Sequence, residues 1–163
     1  MLTIADFQEG RFKLAINNIN TATISDLITY YEDIYMKDLL GVDLASEFYA
    51  DLDVNNEPQT QKFIDIYEPL YFDAMCGKFR SEGMIEMLKG LIYFAIVSEQ
   101  YENNTMDGNV SNGTEVSVRS NTKAYVKYNE AVANYNTIQY YISQHQDVYG
   151  DFYGVRKRIT SWL

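Results

Sequence analysis

The sequence predicts a mainly α, single-domain helical bundle over residues 1–163, with two long core helices joined by a hairpin-like polar arm and followed by an irregular C-terminal arm. Three observations carry this expectation. Apolar residues recur at gaps of three and four through two long segments, the spacing that places them on one helical face. Leu91 to Val97 is apolar on every side, as befits a helix packed on several faces. Between the two segments lies "NNTMDGNVSNGTEVSVRSNTK", Asn103 to Lys123, small and polar almost throughout.

Taken in order, "TIAD" at Thr3 to Asp6 and "TISD" at Thr23 to Asp26 have the form of capping boxes, and each is expected to open a helix. From Ile24, the residues Leu27, Ile28, Tyr31, Ile34, Tyr35 and Leu39 form an apolar stripe that Gly41 should cap. Leu44, Phe48 and Leu52 mark a shorter helix. "DLDVNNEPQ" reads as a loop, with Pro58 suited to the first turn of the next helix. Pro69 should break the apolar stretch "FIDIYEPLYFDAMCGKF". "SEGMIEMLKGLIYFAIVSEQYE" is the first long helix. Tyr125, Tyr128, Val132, Tyr135, Ile138 and Ile142 define the second. Residues 146–163, with two glycines among aromatics and cations, suit an extended arm or a short strand.

A length of 163 residues favours one domain, and 47% hydrophobic content is ample for a core. Aromatic residues make up 15% of the chain, and its 15 tyrosines can bury ring area while keeping a hydroxyl for a partner, in a core or at an interface. The net charge of -10 argues against a protein that coats nucleic acid, because such binding uses clustered Lys and Arg to displace counterions. Charge is uneven: Met1 to Glu102 holds 18 acids against 7 bases, whereas Tyr149 to Leu163 holds 1 acid against 3 bases. The single cysteine, Cys76, excludes an internal disulfide and a multi-cysteine zinc site, and reads as a buried structural thiol. "MLTIADFQEGRFK" has no apolar signal core, and Leu91 to Val97 is far short of the ~18 residues of a membrane helix, which together predict a cytoplasmic protein.

No catalytic, metal or cofactor site emerges. His145 is the single histidine and sits among polar residues at a helix end, where an exposed or capping role is expected. A di-iron bundle would need Glu three residues before it, and position 142 is Ile. Glu32, Asp33, Asp38, Asp43, Glu47, Asp51 and Asp53 mostly fall opposite the apolar stripe, on what should be a solvated face. Neither a P-loop nor a GxGxxG fingerprint is present.

The polar run imitates a calcium loop at Asp107, Asn109 and Ser111, but the required Gly and Glu are replaced by Asn112 and Val118. Its sequons at Asn103, Asn109 and Asn112 have no signal peptide to bring them to glycosylation. Asp107-Gly108 and Asn112-Gly113 are turn pairs, and "TEVSVRS" alternates in strand fashion around Val116 and Val118, so a projecting hairpin or arm over 103–123 that orders against a partner is expected, with a solvent loop as the alternative. Candidate interface residues are first Val110, Val116, Val118 and Arg119, then Phe152, Tyr153, Arg156, Arg158 and Trp162. The competing reading has the valines packing on their own domain and Trp162 covering its core.

The succession "YYEDIYMKDLLGVDLASEFYADL", a loop, "SEGMIEMLKGLIYFAIVSEQYENN", the run "TMDGNVSNGTEVS" and "YNEAVANYNTIQYYI" resembles the helical head-to-tail connector (adaptor or ring) proteins of tailed bacteriophages, most closely those of crAss-like phages. The resemblance covers Tyr30 to Ile142 and carries no catalytic signature. It implies a non-enzymatic virion protein, made in the bacterial host cytoplasm, whose copies form a closed ring, usually twelve-fold, beneath the portal protein at the head-tail junction. Such a ring extends the DNA channel and meets other tail or ring proteins, while DNA passes without specific binding and no membrane or cofactor is involved. The run between the long helices matches the family's protrusion toward neighbouring subunits. The alternative is another helical phage interaction module or an assembly chaperone; an enzyme using the abundant carboxylates is a third reading.

Overall fold

The computed structural model describes residues 1–14, 21–74, 77–106, 114–150, 154, 155 and 157–159, and the side chains of all of these except 100–106 and 114–122. Two short 3-10 turns, Ile4–Phe7 and Gly10–Phe12, precede helix α1, Thr21–Ala50. Helix α2 is Gln61–Tyr67, strands β1 and β2 are Leu70–Ala74 and Gly77–Ser81, and the long helices α3 and α4 are Met84–Met106 and Thr114–Gln144. A final turn, α5, is Gln146–Tyr149. The architecture is mainly α, as the sequence predicts.

Helix α3 is the centre of the fold. Met84, Met87, Leu88, Leu91, Ile92, Ala95 and Ile96 are buried, and Tyr93, Phe94 and Val97 are half-buried, so Leu91 to Val97 shows no exposed side chain. Its neighbours are α4, α1, α2 and both 3-10 turns. The predicted stripe of α4 is its core face: Val132, Tyr135, Ile138 and Ile142 are buried, joined by Ala124 and Ala131. The two helices run antiparallel, with Phe94 of α3 against the rings of Tyr125 and Tyr128 of α4 (centroids 4.9 and 4.6 Å). Their backbones approach closely where a Cβ on Gly90 would lie 2.6 Å from that of Ala131 and 3.1 Å from the Lys127 carbonyl.

The capping box at Thr3 is present: the Asp6 carboxylate accepts the Thr3 N–H at 2.9 Å and its hydroxyl at 3.1 Å, although the turn it opens is 3-10. The second box does not open a helix. Helix α1 is already formed at Thr21, so Thr23 lies within its first turn. Gly41 does interrupt α1, with φ 78° and ψ 170°, a conformation that costs glycine little, and the chain then resumes the helix to Ala50. Pro58 is not in the first turn of α2; it pairs with Leu52 in an isolated bridge, and Thr60 is the N-cap residue.

Helix α2 ends at Tyr67, before Pro69, as the expected break requires, but the placement of strand differs from expectation. After Pro69 comes a two-stranded antiparallel hairpin in which Leu70 faces Ser81 and Phe72 faces Phe79, not merely a helix break. The period of two in Leu70, Phe72 and Ala74, answered by Phe79 and Ser81, carried that signal, but no Asn-Gly or Asp-Gly pair marks the turn. Conversely, Thr114 to Lys123 is helical and not a strand. An unpartnered two-stranded arm is marginal in water, whereas extending an existing helix adds one hydrogen bond for each residue fixed. Val118 also stands seven residues before Tyr125 and fourteen before Val132, in phase with the α4 stripe. Asp107 to Gly113, with the turn pairs, and Cys76 lie outside the described residues.

Glu32 departs from the solvated face expected for the α1 acids. It is 6% exposed, and its carboxylate accepts the Leu2 N–H at 2.8 Å and pairs with the Met1 amine at 3.1 Å. A buried carboxylate persists because it is paired and hydrogen-bonded. Burial raises the Tyr35 hydroxyl to about 12, with Tyr128, Asp38 and Glu99 adding to the effect, and burial also pushes up those of Tyr49, Tyr135 and Tyr149.

Two outcomes follow from this core. Gly90→Val should overpack the α3–α4 contact and lower stability by about 1–3 kcal/mol in urea unfolding, and an unchanged midpoint would mean that the helices can part. The tyrosines hold their protons more tightly in the fold than in the unfolded chain, where they ionise near pH ~10. Their stabilisation is therefore complete below about pH 10 and declines as pH rises toward about 12. Absorbance titration should resolve a late-ionising tyrosine class, with the thermal midpoint dropping across the same range; simultaneous ionisation near pH ~10 in folded protein would contradict this.

Candidate interaction surfaces

The break at Gly41 frees backbone carbonyls at the end of the first half of α1, and the C-terminal arm is held there. The Asp38 carbonyl accepts the Val155 N–H at 2.9 Å. The Tyr135 hydroxyl of α4 lies 2.7 Å from both the Asp38 and Val155 carbonyl oxygens and is shared between them. The Gln139 amide donates to the Leu39 carbonyl and accepts the Gly154 N–H at 2.8 Å. A side chain on Gly154 would displace that amide from its present position. Lys157 completes the seat: its Nζ lies 2.8 Å from Asp38 Oδ2 and over the rings of Tyr35 (4.7 Å) and Tyr135 (5.2 Å). The described residues of the arm, 154, 155 and 157–159, lie in neither helix nor strand, and the helical turn α5 stands at its start.

Of the nine predicted interface residues, Arg158 alone has a described side chain, and it is exposed on this arm. Val116, Val118 and Arg119 have a described helical backbone only, while Val110, Phe152, Tyr153, Arg156 and Trp162 lie outside the described residues. The structure therefore brings none of these side chains together. It reveals instead Val155 and Ile159, apolar and 56% and 60% exposed on a segment fixed by its backbone. Sequence reasoning missed the Asp38–Lys157 pair because 119 positions separate its members.

A second surface flanks the hairpin. Phe72 stacks on Phe79 at 5.3 Å, Phe79 meets Tyr140 at 4.8 Å, and Phe72 meets Tyr141 edge-on at 5.3 Å. Phe72, Asp73, Ala74, Tyr141, Gln144 and His145 line an open groove of about 470 Å³. His145 is the N-cap residue of α5, as its capping role requires: its carbonyl accepts the Val148 and Tyr149 N–H groups, both at 3.0 Å. Its Nδ1 lies 2.8 Å from the Tyr141 carbonyl, and its ring is 4.1 Å from that of Tyr141. That nitrogen is committed to the backbone, and the rings of Phe72 and Tyr141 give the groove aromatic area.

No family model matches the chain, and neither a curated protein nor a solved structure matches it. Among the described residues no group of three His, Cys, Asp or Glu could hold a metal ion, and no helix is long and apolar enough to cross a membrane.

The arm's seat depends on one hydroxyl that a conservative change removes. Tyr135→Phe keeps the buried ring but leaves the Val155 carbonyl without that donor, at a cost of about 1 kcal/mol. Hydrogen exchange at the Val155 amide should accelerate while the α3 amides remain protected. Unchanged exchange would show that the Lys157–Asp38 pair suffices.

Proposed function

We propose that the chain is a virion structural protein that assembles with copies of itself into a ring, twelve-fold by resemblance, beneath the portal at the head-tail junction of a tailed bacteriophage. The ring extends the DNA channel and offers a platform to the next tail component. The observation that supports this reading is the succession of elements: a kinked α1, a loop, and an apolar α3 followed, beyond the polar run, by a tyrosine-rich α4.

The α3–α4 pair gives that succession a physical use. Helix α3 runs nine residues past Val97, the last of its described residues packed against the core, a rise of roughly 14 Å. Helix α4 likewise begins ten residues before the buried Ala124. A closed ring requires head-to-tail contacts between neighbouring subunits, and in the proposed ring these helical extensions make them. Net charge supports the channel role weakly: a body at -10 repels the phosphates of passing DNA, so no counterion release holds the duplex in place.

Negative-stain microscopy and light scattering of the purified chain, alone and with portal complexes, should reveal rings or portal-bound copies. A strictly monomeric chain that ignores portal complexes would count against the reading. Mass spectrometry of purified virions should find the chain retained in the particle, whereas its loss from mature virions would favour an assembly chaperone.

A further inference from the structure

The loop between α1 and α2 holds one apolar side chain out in water. Its own groups satisfy it: the Asp53 carboxylate accepts the Asn55 and Glu57 N–H groups at 2.8 and 2.9 Å, and the Asp53 N–H donates to the Glu57 carbonyl at 2.9 Å. The Asp51 carboxylate accepts the Gln59 and Thr60 N–H groups at 2.9 and 2.8 Å and also the Thr60 hydroxyl. These donors hold both carboxyls below the usual range: the Thr60 hydroxyl first for Asp51, the Glu57 N–H first for Asp53. Asn56 takes a left-handed φ of 62° to close the turn. Val54 stands 97% exposed between Asp53 and Glu57. A side chain presented by a braced loop loses little conformational freedom on docking.

Elsewhere on the body, between the second 3-10 turn and α4, lies a recess of about 230 Å³ lined by Arg11, Lys123, Val126, Lys127 and Glu130. Glu130 is engaged by Arg11, which also meets Glu82 at 3.3 Å. The Lys127 ammonium sits 3.9 Å over the Tyr93 ring and 5.5 Å from that of Phe12. Burial first, then Arg11 and Lys123 beside it, pull its pKa down, while Glu130 acts in the opposite direction. Val126 supplies exposed apolar area in the same recess. On a chain of net charge -10, this is an exception with an apolar lining.

We propose that the Val54 loop of one copy docks in the Arg11, Lys123, Lys127 recess of a second copy, Val54 against Val126 and the lysine stems, and Asp53 and Glu57 against the cations. The inference rests on the self-assembling reading above. Charge and apolar area argue for this occupant: an apolar tip with acidic flanks meets a recess in which Val126 stands beside Arg11, Lys123 and Lys127, with Glu130 taken up by Arg11. Loop and recess share no residue, so each copy can give with one and receive with the other, the heterologous arrangement a ring needs.

Sedimentation velocity on the full chain tests the contact with Val54→Asp, Glu57→Lys, Lys123→Glu and the double variant Glu57→Lys/Lys123→Glu, all at exposed positions, with circular dichroism to verify folding. Each single change should weaken self-association about tenfold or more, and the double variant should recover most of it. If Val54→Asp associates as the unaltered chain does, or the double variant is no better than the singles, the contact is overturned. Rings that survive Val54→Asp would remove the contact and keep the ring. A discrete dimer that obeys all four effects would keep the contact and remove the ring, and a chain monomeric at every concentration removes both. Duplex DNA titrated into the same samples covers the competing occupant: binding lost in Lys123→Glu, with association untouched by Val54→Asp, would assign the recess to phosphate and overturn the proposal.

Discussion

A helix that is apolar on every side must be covered on every side, and this constraint on α3 organises the molecule. Each buried Leu, Ile or Met removed from water contributes about 1.5–3 kcal/mol before entropy is counted, so the run from Met84 to Ile96 is a large part of the gain available to the fold. Covering it takes α4 along one face, α1 and α2 on others, and even the 3-10 turns, which place Phe7 and Phe12 in the core. Gly90 lets α4 come close enough to complete the cover.

The same demand explains the polar fastenings at the periphery. Asn134 of α4 accepts the Glu82 N–H at 3.0 Å and Ser81 accepts the Gly83 N–H at 3.2 Å, which fixes the entry to α3 without spending core area. At the opposite extreme of sequence separation, the Gly41 break in α1 releases carbonyls that Tyr135, Gln139 and Val155 satisfy. A defect in one helix thereby becomes the seat of an arm, because a buried carbonyl left without a donor is costly.

With the core so occupied, the surfaces that stand out are suited to proteins more than to small molecules. The exposed Val54, Tyr71, Val155 and Ile159 sit on a loop, a strand and an arm that are fixed by backbone hydrogen bonds, and the grooves beside the hairpin and beside α4 are open. Such preorganised apolar points with charged surroundings are what repeated subunit contacts use. A ring subunit at the head-tail junction is the proposal that accommodates them together with the acidic body.

The sequence by itself determined the fold class, the two long helices and the interruption at Gly41, because helical periodicity and glycine conformation are local properties. It also determined that Pro69 ends a helix, but the hairpin beyond was obscured where apolar residues of the two periods run together. Tertiary structure decided what depends on distant partners: the burial of Glu32 against Leu2 and the joining of Asp38 to Lys157. Most of the predicted interface lies in segments whose side chains are not described, so the legible surface is a different one, drawn from the loop at Val54 and the cations at Arg11, Lys123 and Lys127. Exposure is the reason it could not be read beforehand: a valine between acids in a loop announces neither its 97% exposure nor the bonds that hold it there until the chain is folded.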